Sequence, residues 1–240
     1  MLYDEIIRKE ITLVMERESH LKRLPVSMKR DVWKDSGKNG IVLKPDMQCE
    51  LGGGNLKAVG NQMVTTDKGL VPADELALIG PDLPELAGNR PYARIAWILL
   101  DEQAAVRERD LYDMIRAVEY TRYRVNPYGY MQRISLSGHR EPVRISRQAV
   151  QEGLTFAEVG SLYLQAYHQN PYVKAVRMLF FTDPDTDYEE LERDAERTES
   201  LTKALDHVLK DVRMNCSSCT LKEICDEVEE LKVLHFQNIK

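Results

Sequence analysis

The chain is 240 residues long, 43 % hydrophobic and 30 % charged, with a formal charge of −6, the profile of a water-soluble protein large enough for one core domain and a small appendage. No apolar run approaches the roughly 18–20 residues that span a bilayer. Met1-Leu2-Tyr3-Asp4-Glu5 meets charge too early for a secretory signal, so a cytoplasmic protein with no membrane partner is expected. The acidic balance argues against a dedicated nucleic-acid binder, whose footprint is net basic.

Residues 1–22 read as an amphipathic helix, with Ile7, Ile11 and Val14 on one face, Leu21 continuing it and Pro25 closing it. The polar stretch from Lys34 to Gly40 has linker composition, which makes residues 1–40 an expected helix-and-linker unit. Residues 41–43 and 47–51 suit short strands broken at Pro45. Gly52-Gly53-Gly54-Asn55 then marks a turn that needs positive φ or a close backbone approach. Strands are expected at 75–79, at 92–100 (the most apolar run), at 142–146 and at 173–181, the last central in its sheet. Helices are expected at 110–123, with Leu111, Met114, Ile115 and Val118 on the apolar side, and at 156–168, while Asn126-Pro127-Tyr128-Gly129 is a turn.

A long helix should run from Asp183 to about Arg213. Its seam of Tyr188, Leu191, Ala195, Thr198, Thr202, Leu205, Leu209 and Val212 alternates steps of three and four. The first half is too polar for a coiled coil, so packing on the chain's own sheet is expected, with a homodimer through an exposed seam left open. A last helix covers 221–236. Strands and helices alternate without a strict βαβ repeat, so the class is α+β: a mixed β-sheet with helices packed on one side of it, and a C-terminal helical, cysteine-containing segment.

Charge is uneven. Between Arg90 and Arg147 stand eleven arginines, no lysine and seven carboxylates, whereas 183–230 is acidic, so the two regions are expected to neutralise one another. Three of the four cysteines, Cys216, Cys219 and Cys225, lie within ten residues. A secreted disulfide framework scatters its cysteines, so this cluster points to metal. Soft thiolates select zinc or an iron–sulfur cluster, and both normally need four ligands. The fourth is left open between His235, Cys49 and an exogenous group. His20, His139, His168 and His207 read as isolated surface residues. No hydrolase constellation competes, and the Gly52–Gly54 run lacks the Lys-Ser/Thr of a phosphate loop.

One family shares a series of these features in order: Glu50-Leu51-Gly52-Gly53-Gly54-Asn55, Ile79-Gly80-Pro81-Asp82, Val143-Arg144-Ile145-Ser146-Arg147-Gln148-Ala149-Val150 and Phe181-Thr182-Asp183. Through them residues 41–183 resemble the middle domain of acetyl-CoA synthase, the nickel–iron subunit of the carbon monoxide dehydrogenase/acetyl-CoA synthase complex, with 184–240 as a following long helix and metal-binding segment. In that family a C-x2-C-x8-C-x9-C motif comes next and holds the iron–sulfur part of the active-site cluster. Cys216 and Cys219 match its first pair, Cys225 its third member after a three-residue deletion, and His235 stands where the fourth cysteine is. The resemblance therefore implies a [4Fe-4S] cluster on Cys216, Cys219, Cys225 and His235, with zinc as the alternative. It also implies coenzyme A near Arg133, Arg140, Arg144 and Arg147, although pairing of these arginines with the acidic C-terminal helix competes with that reading. The partner would be a corrinoid iron–sulfur protein or a CO dehydrogenase-type subunit. The family's nickel site needs a Cys-Gly-Cys tripeptide, which these 240 residues lack. An accessory, electron-transfer or docking component that does not make acetyl-CoA alone is expected. A component of a multi-subunit enzyme and a structural zinc protein are the alternatives.

Overall fold

Tyr92–Leu100 (β5) is buried at all nine positions. A strand with no exposed residue must be covered on both faces of its sheet, and that requirement organises the molecule. The computed structural model describes residues 1–28, 33–36, 40–105, 108–133, 139–209 and 221–227. Beside β5 lie Val173–Phe181 (β8), antiparallel to it, and Ala58–Thr65 (β3), parallel to it. Glu75–Ile79 (β4) pairs parallel to β8, and Leu21–Leu24 (β1) antiparallel to β4. The five-stranded mixed sheet thus runs β1-β4-β8-β5-β3. A second sheet, of Met47–Leu51 (β2), Val143–Ser146 (β7) and Tyr130–Gln132 (β6), runs β2-β7-β6, antiparallel throughout.

Helices lie on both faces of the large sheet, not on one. Asp4–Glu16 (α1) and Tyr188–Leu209 (α5) meet the side that carries Trp97 and Asn61: Trp97 bonds to Glu10 of α1, and Asn61 to Thr198 of α5. Phe156–Tyr167 (α4) covers the opposite side, where its Phe156 ring stacks on Phe180 at 4.6 Å and Arg94 lies over Tyr163. Glu108–Tyr120 (α2) packs against β3 and α5. Arg147–Gln151 (α3) follows β7 directly, with the Ser146 hydroxyl accepting from Ala149 N at 3.1 Å as its cap. Lys222–Glu227 (α6) is the last described element. Tyr3, Ile7 and Val14 join Leu51, Trp97 and Phe180 and Leu191, Ala204 and Leu205 in one contiguous buried cluster, so burial of apolar surface, at about 25 cal/mol per Å², ties α1 and α5 to the sheet.

Three local expectations change. The first helix ends at Glu16, and residues 21–24 form β1 instead. Leu21 and Leu24 are half-buried there while Lys22 and Arg23 face solvent, which suits a short, charged edge strand. Residues 41–43 are not a strand: Ile41 and Leu43 are exposed around buried Val42, and a 3-10 turn with Pro45 follows. Strand β3 is an added element with polar side chains at its centre. The α5 seam packs on β3 and β5 as expected, with Tyr188, Leu191, Ala195 and Leu205 buried within the chain.

Candidate functional site

The residues that carry the family resemblance gather on the small sheet and on the loops at one end of the large one. Strand alternation puts Glu50 of β2 and Arg144 of β7 side by side, since the two are register partners. The opposite face sends Cys49, Ile145 and Tyr130 into the core. The Glu50 carboxylate accepts from Arg144 Nε at 3.2 Å and from Arg133 Nη2. Arg140 serves the neighbouring glycine turn. Its Nη2 donates to the carbonyls of Gly54 at 2.9 Å and Gly52 at 3.3 Å, and Nη1 to that of Leu56 at 3.4 Å. Both glycines have φ above +60°, a conformation that turns successive carbonyls toward one guanidinium. Arg147 Nη2 reaches Met47 O at 3.5 Å.

Arg133, Arg140, Arg144 and Arg147 are therefore brought to one sheet and its turn, but among the described residues their partners are Glu50 and backbone carbonyls. Among the described residues they do not form the expected pairing with the acidic helix. The carboxylates of α5 are met by Lys9, Lys57 and His139 instead. We expect Arg140→Ala to lower the unfolding free energy by about 1–3 kcal/mol, the worth of charged donors to buried-edge carbonyls. Urea unfolding measures it, and a change indistinguishable from zero would mean that the turn holds itself.

The other shared residues act as ties. Thr182 N and Asp183 N both donate to Ile79 O, at 2.9 and 3.2 Å, and Thr182 Oγ1 donates to Pro81 O at 2.7 Å. Asp82 Oδ1 accepts from Leu83 N at 2.7 Å and Phe156 N at 2.9 Å, so it anchors the start of α4.

Sequence reasoning missed a buried ion triad. Glu141 and Arg94 are fully buried and Arg122 nearly so. Arg94 Nη2 donates to Glu141 Oε2 at 2.5 Å and Arg122 Nη1 to Oε1 at 2.9 Å, while Arg122 Nη2 also reaches Glu119 at 3.2 Å. Burial opposes the Arg94 charge, but Glu141 overrides it and holds the guanidinium above its ordinary value. The Tyr163 ring lies 4.6 Å from Arg94 Cζ. Nearby, the hydroxyls of Tyr92 and Tyr130 meet at 2.5 Å, and burial pushes both phenols up. The available signal was a lone arginine inside Tyr92–Leu100, since a buried charge demands a partner.

Cys216, Cys219 and His235 lie outside the described residues; Cys225 falls on α6, with its side chain outside them too. Cys49 is buried in the core, and burial pushes its thiol up to about 11, against the pull of Arg90. Among the described residues no three His, Cys, Asp or Glu side chains converge on one point. Two histidines are less isolated than expected: His168 Nε2 sits 2.9 Å from Asp74, which also accepts from Val176 N, and His139 Nδ1 lies 3.4 Å from Glu199.

Over 187 residues the chain is 27 % identical to the acetyl-CoA decarbonylase/synthase complex subunit beta 1 of Methanocaldococcus jannaschii. This chain is similar to a subunit of that complex. The match takes in 74 % of the chain and 23 % of the relative, so the chain spans about a quarter of that protein's length. No protein-family profile matches it. Among the described residues no helix is long and apolar enough to cross a membrane.

Proposed function

We propose that this chain is an iron–sulfur accessory component of an acetyl-CoA-synthase-type assembly, acting in the cytoplasm by docking a partner or passing electrons. The observations that carry the reading are the similarity to a subunit of such a complex and the presence of Cys216-x2-Cys219-x5-Cys225 in the same chain. Cys216, Cys219, Cys225 and His235 would hold the cluster. Three thiolates and one imidazole are a donor set suited to iron–sulfur or zinc and unsuited to hard cations. A bound cluster would supply one-electron transfer, at a potential raised by a neutral imidazole in place of a charged thiolate. The 240 residues contain no Cys-Gly-Cys tripeptide, so the reading assigns them no carbon–carbon bond step of their own. A corrinoid iron–sulfur protein or a CO dehydrogenase-type subunit is the proposed partner. Arg133, Arg140 and Arg144 are given a structural part, because Glu50 and the glycine turn already engage them, and coenzyme A is not required.

Anaerobic purification with metal analysis tests the reading. The expected protein is brown, with bound iron and a broad absorption band near about 400 nm that reductant bleaches. His235→Ala should lower the iron content, and Cys216→Ser should abolish it. A colourless protein carrying one zinc would replace the cluster with a structural site.

A further inference from the structure

A cleft of about 1310 Å³ opens where the second half of α2 and the second half of α4 come together. Met114 and Ala117 of α2 line it at a step of three, and Leu162 and Ala166 of α4 at a step of four, so each helix gives the cleft one face. Trp33 and Tyr172 complete the apolar lining. The Trp33 indole is held by its bond to Tyr128 O at 2.9 Å, while Tyr172 is 42 % exposed.

Three features select the occupant. Small-molecule sites usually have about 300–1,000 Å³, so the cleft is sized for a piece of another macromolecule. Its main walls are helices, whose backbone groups are bonded within each helix. An extended segment would find no strand edge there to satisfy its own backbone, whereas a helix arrives already satisfied. Alanine at 117 and 166 keeps both walls low, which lets a third helix pack closely. Charge supplies the third feature, for four charged residues line the cleft. Lys34 bonds Glu152 at 2.9 Å and lies over the Tyr128 ring, and Asp35 has contacts of its own. Arg124 is exposed, and among the described residues no carboxylate meets it.

We propose that this cleft docks an acidic amphipathic helix of a partner protein, with apolar side chains between α2 and α4 and a carboxylate on Arg124. This is the partner contact of the function proposed for the chain, and it rests on that reading. Aromatic, Met and Arg side chains around an apolar floor are the composition of a recognition surface. A helix seated in such a groove needs apolar residues at i, i+3 or i+4 and i+7, and the exposed guanidinium then discriminates between partners by charge.

Selection of a phage-displayed library on the full chain tests the docking, with random peptides of about 16 residues, long enough for a helix of several turns. The enriched peptides should share apolar residues at helical spacing and carry Asp or Glu, and fluorescence anisotropy should show saturable binding of the synthesised peptides. Ala117→Arg, which raises a long charged side chain on the α2 wall, should abolish that binding. Arg124→Glu should weaken it about tenfold, and changing the peptide's acidic residue to Lys should recover the loss. Ala117 and Arg124 are both exposed, so both variants should keep the thermal unfolding midpoint. No enrichment, enriched peptides without an acidic residue, or peptides that bind Ala117→Arg as well as the unmodified chain would overturn the proposal. So would a dimer in sedimentation that Ala117→Arg dissociates, which would make a second copy the occupant. Iron content separates the docking from the cluster. An iron-free chain that binds the peptides keeps the docking site and loses the cluster, whereas an iron-loaded chain that selects no peptide loses the docking site alone.

Discussion

Glu141→Ala is expected to lower the unfolding free energy by about 3–5 kcal/mol, because it leaves two buried guanidinium groups without their shared carboxylate. For a chain of this size that is a fall of roughly 10 °C in Tm. The backbone around Glu141 matters as well: Gly60 N donates to His139 O at 2.7 Å and Glu141 N to Ala58 O at 3.2 Å, so this segment covers the free edge of β3. Space explains why the partner strand has glycine there. A Cβ on Gly60 would fall 2.1 Å from the Glu141 carboxyl carbon, so Gly60→Ala should itself destabilise by forcing the carboxylate off Arg94. In the Glu141→Ala background the same change should cost far less, since the obstructing group is gone. Thermal unfolding of the two single variants and the double variant measures this coupling. Strict additivity would show that Gly60 is required for some reason other than room for Glu141.

The strands at 75–79, 92–100 and 173–181 are legible in the sequence because each is a predominantly apolar run. The same runs carry the clue that helices cover both faces, since a strand exposed on one side would alternate. Strand β3 is harder to see. Its Gly60-Asn61-Gln62 centre reads as a loop, but Gly60 makes room for Glu141, Asn61 faces Glu10, and Gln62 accepts from the Tyr167 hydroxyl. Polar residues whose partners are 40 to 140 positions away leave no local pattern. The same distance hides Glu10, which reads as an ordinary charge on an amphipathic helix until Trp97 is placed above it. The arginines at 133, 140, 144 and 147 stand out by number. Among the described residues the carboxylate that Arg133 and Arg144 meet, Glu50, lies more than eighty residues earlier, and the β2–β7 register is what brings it beside Arg144.

The glycine turn between β2 and β3 separates two reasons for glycine, and the second large effect follows from that separation. Gly52 and Gly54 share nearly the same backbone, with φ of +64° and +62°. Around Gly54 an added Cβ meets nothing within 4 Å, whereas at Gly52 it would fall 2.2 Å from Ala58 Cβ and 2.9 Å from Lys57 O. Gly54→Ala should therefore cost only the left-handed conformation, about 1–2 kcal/mol. Gly52→Ala adds a collision with the first residue of β3, and overpacking of that kind costs a further 1–3 kcal/mol or so, for a total of roughly 2–5 kcal/mol. Chemical denaturation of the two variants reads the difference. Ala58→Gly, introduced into Gly52→Ala, should recover much of the steric part and none of the conformational part. Equal losses at the two positions would contradict the collision. They would instead place both glycines in the turn for their conformation alone, with Arg140 rather than Ala58 as the element that holds it closed.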